Sequence, residues 1–340
     1  MLYSPTDLRG NRFSVVLSPG WTRHYITGLL DQMKVLHRPP EGFAYRSYPC
    51  WCNARDDQPL LQKDRFDFWL DTVICRSCGT IRLDPYISAE DGVTYYTDVY
   101  PRAYFDQGQS LEDRYVAVQS ATRAHLFAEF LAEAREKAGR PLRIVDYGGG
   151  TGGRLEMFKE DNEIFVYDLN PERTRFAVEH GYRAFEADLV VDVAYSCHTM
   201  EHWIDLTATT RAFLATLDRK NGIAIIELPF LDRIVSGARA RGLRDEVSFP
   251  HKWYFFVDSL RLFMASFGFS CIASNGSEFA IFRHDERTAA LEARSLSEEI
   301  LSRNIRKLRR ARRNGILKSL VRQTASLLSR LMSRARGPAS

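Results

Sequence analysis

Two short-spaced cysteine pairs give this 340-residue chain its first chemical signal. One residue separates Cys50 from Cys52, two separate Cys75 from Cys78, and 22 residues lie between the pairs. Thiolates at such spacing can hold a tetrahedral Zn²⁺, each sulfur about 2.3 Å from the metal. The chain shows neither a signal-peptide pattern nor an apolar run near the roughly 18 residues that a membrane span needs. We therefore expect a cytoplasmic protein, whose clustered cysteines stay reduced and bind metal.

A glycine-rich run after a short apolar segment predicts a nucleotide-cofactor site. Gly148, Gly150 and Gly153 fit the dinucleotide-binding spacing, and Asp168 follows Gly148 by 20 residues. Asp146, however, immediately precedes the run, and a carboxylate there would repel a pyrophosphate. S-adenosylmethionine carries a cationic sulfonium and ammonium and no phosphate, so the same carboxylate attracts it. The run therefore favours S-adenosylmethionine over a nicotinamide cofactor.

Three histidines are candidates for a general base. Transfer of a methyl group to a hydroxyl or a carbon acid requires removal of a proton, which histidine can do near neutral pH. His198 and His202 follow an apolar strand-like run, and His251 stands in the aromatic segment SFPHKWYFF. Ligands of open α/β sheets bind beyond the carboxyl ends of the strands, where such residues would lie. For His251 a packed core histidine is the alternative.

Short apolar strands alternate with helical stretches after Pro141, which predicts βαβ units and a parallel sheet. Strands are predicted at 142–146, 164–168, 191–195 and 223–228, with an antiparallel closing pair at 269–273 and 278–283. Helices are predicted at 111–138, 154–159, 171–180, 206–217 and 256–267. We divide the chain into an N-terminal cysteine-containing region (1–110), a helical linker (111–140), an α/β domain (141–285) and a basic helical tail (286–340).

The α/β domain resembles class I S-adenosylmethionine-dependent methyltransferases. The run Asp146-x-Gly148-x-Gly150-x-Gly152 matches the first motif of that family, and VDVAYSCHTMEHW matches its fourth-strand segment. The resemblance implies a Rossmann-like, mostly parallel sheet with an antiparallel closing strand. It implies that Asp168 holds the ribose and Asp188 the adenine, with a helix cap and a solvated turn residue as their alternatives. The implied cofactor site comprises Asp146, Gly148, Gly150, Gly152, Asp168, Asp188 and Ser196.

The cysteine-containing region resembles the zinc-binding domain that precedes some bacterial methyltransferase domains. The segment VICRSCGTIRLDPYISAEDGVTYYTDVYPRAYF carries this resemblance. It implies zinc bound by the four cysteines, whereas cysteines packed as small apolar residues are the alternative. The first pair in that family is usually Cys-x-x-Cys. The shorter Cys50-x-Cys52 of this chain leaves His37 or a water as an alternative ligand.

The element His251-x-x-Tyr254-Phe255 resembles one in sugar C-methyltransferases that carry the same zinc domain. In those enzymes the histidine is the base on a nucleotide-linked keto sugar, which implies catalytic roles for His251 and Tyr254. They usually have Glu before this histidine, where this chain has Pro250. Methylation of a hydroxyl on a sugar or glycan is therefore as strong an expectation as C-methylation.

The net charge of +4 hides an uneven distribution. Residues 301–340 contain twelve Arg or Lys and no acid, so the first 300 residues carry −8, the difference between +4 and +12. A basic amphipathic helix is typical of segments that bind an anionic membrane surface, and we expect this of residues 301–336. Its apolar positions are Leu301, Ile305, Leu308, Ile316, Leu320, Leu327 and Leu331. A helix packed on the acidic remainder of its own chain is the alternative.

Two other function classes remain open. A nucleic-acid methyltransferase or binding module could use the cysteine pairs and the basic tail. The acidic first 300 residues disfavour it, and Ser196-Cys197-His198 stands where base-modifying enzymes have Asn-Pro-Pro-Tyr. The other is a non-catalytic, membrane-tethered cofactor-binding scaffold, which the intact Asp146, Asp168 and glycines disfavour.

Overall fold

The computed structural model describes residues 39–100, 110–235 and 242–314. His37 and the predicted tail beyond residue 314 lie outside the described residues.

The N-terminal region forms a small antiparallel sheet over an apolar cluster. Leu60, Leu70 and Ile74 are buried in this cluster together with Tyr86 and Ile87. A fully buried Arg82 makes a two-pronged ion pair with Asp57 across the sheet. The elements are β1 (Tyr45–Arg46), β2 (Asp57–Lys63), β3 (Trp69–Cys75), β4 (Ile81–Leu83), β5 (Tyr86–Ile87) and α1 (Ala89–Thr94), which continues into a π-helical turn (Tyr95–Val99).

The linker predicted as one helix contains two. The Thr122 backbone is extended, and its hydroxyl accepts from the Ala124 amide and donates to the Arg154 carbonyl. These bonds end the first helix, so the prediction of a single helix is wrong. Gly139, with φ of 64°, ends the second helix where the sequence placed its end. The elements are α2 (Leu111–Ala121), a 3-10 turn (Ala124–Phe127) and α3 (Ala128–Ala138).

Most of the described residues after α3 form a larger sheet with flanking helices. The helix predicted at 154–159 is a 3-10 helix, Gly153–Phe158. The other elements are β6 (Arg143–Tyr147), β7 (Glu163–Tyr167), α4 (Pro171–Glu179), β8 (Arg183–Ala184), β9 (Val193–Cys197), α5 (Leu206–Ala215), β10 (Ile223–Glu227), α6 (Asp232–Val235), β11 (Trp253–Tyr254), α7 (Val257–Ala265), β12 (Phe269–Ser274), β13 (Phe279–His284), α8 (Glu286–Ser297) and α9, a helix through residues 300–314.

The large sheet has the strand order β12-β13-β10-β9-β6-β7-β8. β13 is antiparallel to both of its neighbours, and all the other pairs are parallel. The central strands are buried on both faces, as near-continuous apolar runs predict for parallel sheets. The predicted Rossmann-like, mostly parallel sheet with an antiparallel closing strand is confirmed.

Strand β11 joins the α/β part of the chain to the N-terminal sheet. Trp253 pairs with Arg82 and Tyr254 with Ile81, which makes β11 the outer strand in the order β11-β4-β3-β2. The segment that the sequence analysis assigned to the α/β domain therefore completes the sheet of the cysteine-containing region. The residues just before β11, including His251, are positioned by both parts of the chain.

Helix α9 packs against the protein and does not expose its apolar face. Leu308 is 4% exposed and lies with Leu301 and Ile305 on the cluster under the N-terminal sheet. The buried Asn304 amide donates to the Gly79 carbonyl and to the Ser259 hydroxyl. The expectation that this apolar face is free to bind a membrane is therefore wrong for residues 301–314. Among the described residues, no helix combines the length and apolar character needed to cross a membrane.

Truncating Leu308 tests this packing. We expect Leu308→Ala to lower the free energy of unfolding by about 2–5 kcal/mol, because a large side chain leaves a cavity in a closed cluster. Arg310→Ala, on the exposed side of the same helix, is the control and should change stability by less than about 0.5 kcal/mol. Urea denaturation followed by tryptophan fluorescence measures both. Equal stabilities of the two variants would contradict the packing of α9.

Candidate active site

The glycine run forms a tight loop between β6 and the following 3-10 helix. Gly148 has φ of 81°, and its amide donates to the Tyr167 carbonyl at 2.6 Å. A Cβ added to Gly148 would overlap the Thr199 side chain, and one on Gly149 would overlap the Asp146 carboxyl. The loop thus has no side chains at these positions and brings β6, β7 and the end of β9 together. A ligand can therefore approach its backbone closely, as a tightly bound cofactor does.

Asp146, near the end of β6, places its carboxyl against this loop without a hydrogen-bond donor. It is 1% exposed, and neither carboxylate oxygen has a hydrogen-bond partner among the described residues. Burial raises the pKa of Asp146 to about 7, against the lowering effect of the nearby Arg154 guanidinium. A buried acceptor without donors is costly. The ammonium or sulfonium of a cationic ligand is the kind of group that would satisfy it.

Of the remaining predicted cofactor residues, Asp168 is bonded to the same loop and Gly152 is part of it. Asp168 follows β7, and its two carboxylate oxygens accept from the Gly150 and Asn170 amides at 2.9 Å. Gly152 has φ of 84°, and a Cβ added there would lie 3.0 Å from the Tyr182 ring. Asp188 is exposed in the connection between β8 and β9, whereas Ser196 is fully buried within β9.

A strained turn after β9 positions the first two histidines. His198 has φ of 50°, in the left-handed region that side chains other than glycine rarely adopt. Its backbone amide donates to the Glu227 carbonyl at 3.0 Å, and its ring Nδ1 lies 3.4 Å from Glu201 Oε1. The side chain of His198 is 48% exposed, whereas Glu201 is 1% exposed. The turn thus places a buried carboxylate beneath an accessible imidazole.

His202 is fixed by a hydrogen bond to the segment before β11. Its Nδ1 lies 2.9 Å from the Pro250 carbonyl oxygen, so Nδ1 carries the proton and Nε2 is left as an acceptor. The same carbonyl accepts from the Tyr96 hydroxyl at 2.7 Å. The Tyr86 hydroxyl lies 3.1 Å from that of Tyr96 and from the Phe249 carbonyl. The N-terminal region therefore sets the tautomer of a histidine in the α/β part.

His251 stands beside His202, with 4.8 Å between the ring centroids and an edge-to-face arrangement. Two bonds hold its segment against the turn after β9. The Lys252 ammonium donates to the Ile204 carbonyl at 2.6 Å, and the Trp253 indole donates to the Trp203 carbonyl at 2.7 Å. His202 and His251 are thereby brought together from separate parts of the sequence.

Burial controls the charges of these groups. It lowers the pKa of His202, and it holds the pKa of His251 well below the ordinary value with a further contribution from His202. Burial alone would raise the pKa of Glu201, but the hydrogen bond from His198 and the neighbouring imidazoles lower it to about 2. Near pH 7 the Glu201 carboxylate therefore lies with two neutral buried imidazoles, those of His202 and His251.

The structure does not support the predicted catalytic role of Tyr254. Its hydroxyl accepts from the Ser248 amide and donates to the Ser248 carbonyl, both at 3.0 Å. The ring is buried in the cluster under the N-terminal sheet. Tyr254 closes its own backbone turn, so the catalytic assignment is corrected to a structural one.

The four cysteines converge. Their sulfur atoms all lie within 4.8 Å of one another, with 3.4 Å between those of Cys50 and Cys78 and 3.6 Å between those of Cys52 and Cys75. A tetrahedral zinc–thiolate site requires sulfur–sulfur distances of about 3.8 Å, whereas a disulfide requires about 2.05 Å. The arrangement is compatible with zinc, and the short Cys50-x-Cys52 spacing does not prevent the convergence.

Several residues of this region gave no signal in the sequence. Glu201 lies in the run VDVAYSCHTMEHW, and nothing in that run indicates that it is the buried carboxylate beside the histidines. Tyr86, Tyr96 and the Pro250 carbonyl act through folding contacts between distant segments. Arg154 also gave no signal, although its guanidinium is the cationic group that lowers the pKa of Asp146.

Comparisons with known proteins agree with this geometry. Residues 119–274 match the family model described as a methyltransferase domain. No curated protein sequence matches the chain at a significant level.

Similar solved structures are also methyltransferases. The 1,6-didemethyltoxoflavin N1-methyltransferase of Burkholderia thailandensis is 16% identical over 67% of this chain and 99% of its own, with a TM-score of 0.42. The magnesium protoporphyrin IX methyltransferase of Synechocystis PCC 6803 is 15% identical over 57% and 98%, with a TM-score of 0.37. An amino pentose methyltransferase of Micromonospora echinaspora is 17% identical over 56% and 98%, with a TM-score of 0.37.

The match shows a methyltransferase domain in residues 119–274. The chain is therefore an enzyme of the methyltransferase class.

Proposed function

We propose that this methyltransferase transfers the methyl group to a hydroxyl or a carbon of a sugar, nucleotide-sugar or glycan, with a histidine as general base. The observation that carries the proposal is the convergence of His198, His202 and His251 beyond β9, next to the glycine loop. The resemblance of the segment containing His251 to sugar C-methyltransferases supports the substrate class. An acceptor of this kind is poorly nucleophilic until it loses a proton, which accounts for the need for imidazoles.

The loop residues fit S-adenosylmethionine. The unpartnered Asp146 carboxylate would attract its cationic end, and Arg154 nearby would attract its carboxylate. Asp168 uses two of its roughly four lone-pair positions on backbone amides, which leaves room for two ribose hydroxyls. In this proposal Gly148, Gly150 and Gly152 line the cofactor, Asp188 faces the adenine, and Ser196 supports the loop from within β9.

The protein's part in the transfer is alignment and proton removal. Bound S-adenosylmethionine would supply an electrophilic methyl group to the acceptor atom and would leave as S-adenosylhomocysteine, with the electron pair of the broken carbon–sulfur bond on sulfur. The acceptor's proton passes to a neutral imidazole nitrogen and from there to solvent. Burial keeps the imidazoles neutral near pH 7, which the role of base requires.

The cofactor assignment predicts a specific loss of affinity. Asp168→Ala should weaken binding of S-adenosylhomocysteine by about 1–3 kcal/mol, because hydrogen bonds to a charged group are lost. Asp161→Ala, which alters an exposed carboxylate paired with Arg135, is the control and should bind normally. Isothermal titration calorimetry measures both variants. Tight binding of NAD without binding of S-adenosylhomocysteine would contradict the assignment.

The proposed base predicts a loss of turnover without loss of cofactor. We expect His202→Ala and His251→Ala to lower kcat by about 10²–10⁴-fold on an accepted sugar, nucleotide-sugar or glycan. The exposed His125 lies on the linker away from the cluster, so His125→Ala is the control. Formation of S-adenosylhomocysteine across a panel of these acceptors provides the assay. Methylation of nucleic acid only, or full activity of both variants, would refute the proposal.

We also propose that Cys50, Cys52, Cys75 and Cys78 bind one structural zinc. The distances between their sulfurs support this. Trp51, between the first two cysteines, packs edge-to-face on Phe263 of α7 at 5.1 Å. Gly79, with φ of 69°, follows the second pair and lies against Asn304 of α9. A zinc ion here would stabilise the docking of the N-terminal region on α7 and α9.

The zinc proposal predicts about one tightly held zinc per chain after gel filtration in citrate. Cys75→Ser should lose this zinc, because a missing thiolate opens the tetrahedral site. Cys271→Ser, a half-buried cysteine of β12 outside the cluster, should keep it. Metal analysis by mass spectrometry decides between them. Full zinc content in Cys75→Ser would show that the metal lies elsewhere.

The basic sequence beyond residue 314 keeps an anionic membrane surface as its proposed partner. The support is its composition, which contains Arg and Lys but no acid, together with Leu and Ile at helical spacing. The full chain should sediment with anionic liposomes at low salt and dissociate as salt rises. A chain ending at residue 314, which retains the packed helix α9, should not sediment. Equal sedimentation of the two chains would contradict this partner.

A further inference from the structure

Glu201, His202 and His251 form a group that acid–base chemistry alone does not explain. One ligand atom from each lies within 4.8 Å of those of the other two. Glu201 is almost fully buried, and its Oε2 has no hydrogen-bond partner among the described residues. A buried carboxylate with an unsatisfied oxygen is costly unless a cation or a donor meets it. Glu201 therefore needs a positive partner at this position.

His202 has the hydrogen bonding that is typical of a metal-bound histidine. Metal-bound histidines almost always donate the other ring N–H to a carbonyl or carboxylate, which fixes the tautomer and the ring orientation. His202 does this through Nδ1 and the Pro250 carbonyl, which the Tyr96 hydroxyl also holds. The acceptor Nε2 of His202 is therefore fixed in direction. The contact between His251 and His202 is edge-to-face.

We propose that Glu201, His202 and His251 bind a divalent first-row transition-metal ion, and that an open coordination position of this ion takes the hydroxyl or carbonyl oxygen of the acceptor. Two imidazoles and one carboxylate are a typical ligand set for catalytic zinc and for related ions, and three protein ligands leave a position open. In such a site the ligand atoms are about 3.4 Å apart.

The proposed ion gives the three histidines different roles. It would acidify the acceptor's hydroxyl, or the carbon next to its carbonyl, as a Lewis acid does. With His202 and His251 as ligands, the half-exposed His198 is the imidazole left to take the proton. Its Nδ1 faces Glu201 Oε1, so its Nε2 is free to accept. This role of the ion rests on the proposed function, whereas the binding of the metal does not.

Cobalt(II) tests the site, because its visible spectrum reports the ligand type. The full chain, with zinc left in the cysteine site, should bind one Co²⁺ with weak visible bands and no thiolate charge-transfer band. Glu201→Gln and His251→Ala should each weaken this binding at least about tenfold. His125→Ala should leave it unchanged. Titration of S-adenosylhomocysteine into the same samples shows that each variant is folded.

The outcomes separate the metal site from the proposed function. Absence of Co²⁺ binding by a chain that binds S-adenosylhomocysteine overturns the metal site and leaves the histidine base standing. Binding of Co²⁺ that both Glu201→Gln and His251→Ala retain, or that shows thiolate bands, also overturns the metal site. If one variant fails to bind S-adenosylhomocysteine, the other variant decides. Specific Co²⁺ binding by a chain that does not bind S-adenosylhomocysteine supports the metal site and refutes the proposed function.

Discussion

The hydrogen bond from His202 to the Pro250 carbonyl is the contact on which the arrangement of the site depends. It joins the turn after β9 to the segment before β11, and it lies where the tyrosines of the N-terminal region reach the α/β part. The pairing of β11 with β4 positions that segment against the N-terminal sheet, and the bonds from Lys252 and Trp253 hold it against the turn after β9. The cysteine-containing region thus contributes to the orientation of His202, because its Tyr96 hydroxyl bonds the same carbonyl.

Buried charge is concentrated at the carboxyl end of the large sheet. Asp146, Glu227 and Glu201 follow or end neighbouring strands, and all three are almost fully buried. The Tyr195 hydroxyl donates to Glu227, whereas Asp146 and one oxygen of Glu201 have no hydrogen-bond partner among the described residues. The protein therefore keeps two buried carboxyl groups with unsatisfied oxygens at this end of the sheet. One suits a cationic cofactor and the other a metal ion or an acceptor's proton, which is the kind of unbalanced interior expected at functional sites.

Local sequence patterns predicted the larger elements and the cofactor loop. Strands β6, β7, β9 and β10 and the closing pair lie within a few residues of their predicted positions, because buried parallel strands are short apolar runs bounded by turn residues. The exposed two-residue strand β8 was not predicted. The glycine loop and Asp168 could be placed because their spacing is local. The linker helix was misjudged since Thr122 ends it through a bond to Arg154, 32 residues away. The packing of α9 on the protein could not be predicted, because its partner surface is made of residues far apart in the sequence.

The tautomer of His202 tests this account most directly. ¹⁵N-labelled histidine in the full chain, observed by long-range ¹H–¹⁵N correlation near pH 7, reports which ring nitrogen carries the proton. The account predicts a neutral His202 imidazole protonated on Nδ1, assigned by its loss in His202→Ala. An imidazole protonated on Nε2 alone would show that the Pro250 carbonyl does not set the tautomer of His202. The proposed assembly of the site from both parts of the chain would then be wrong.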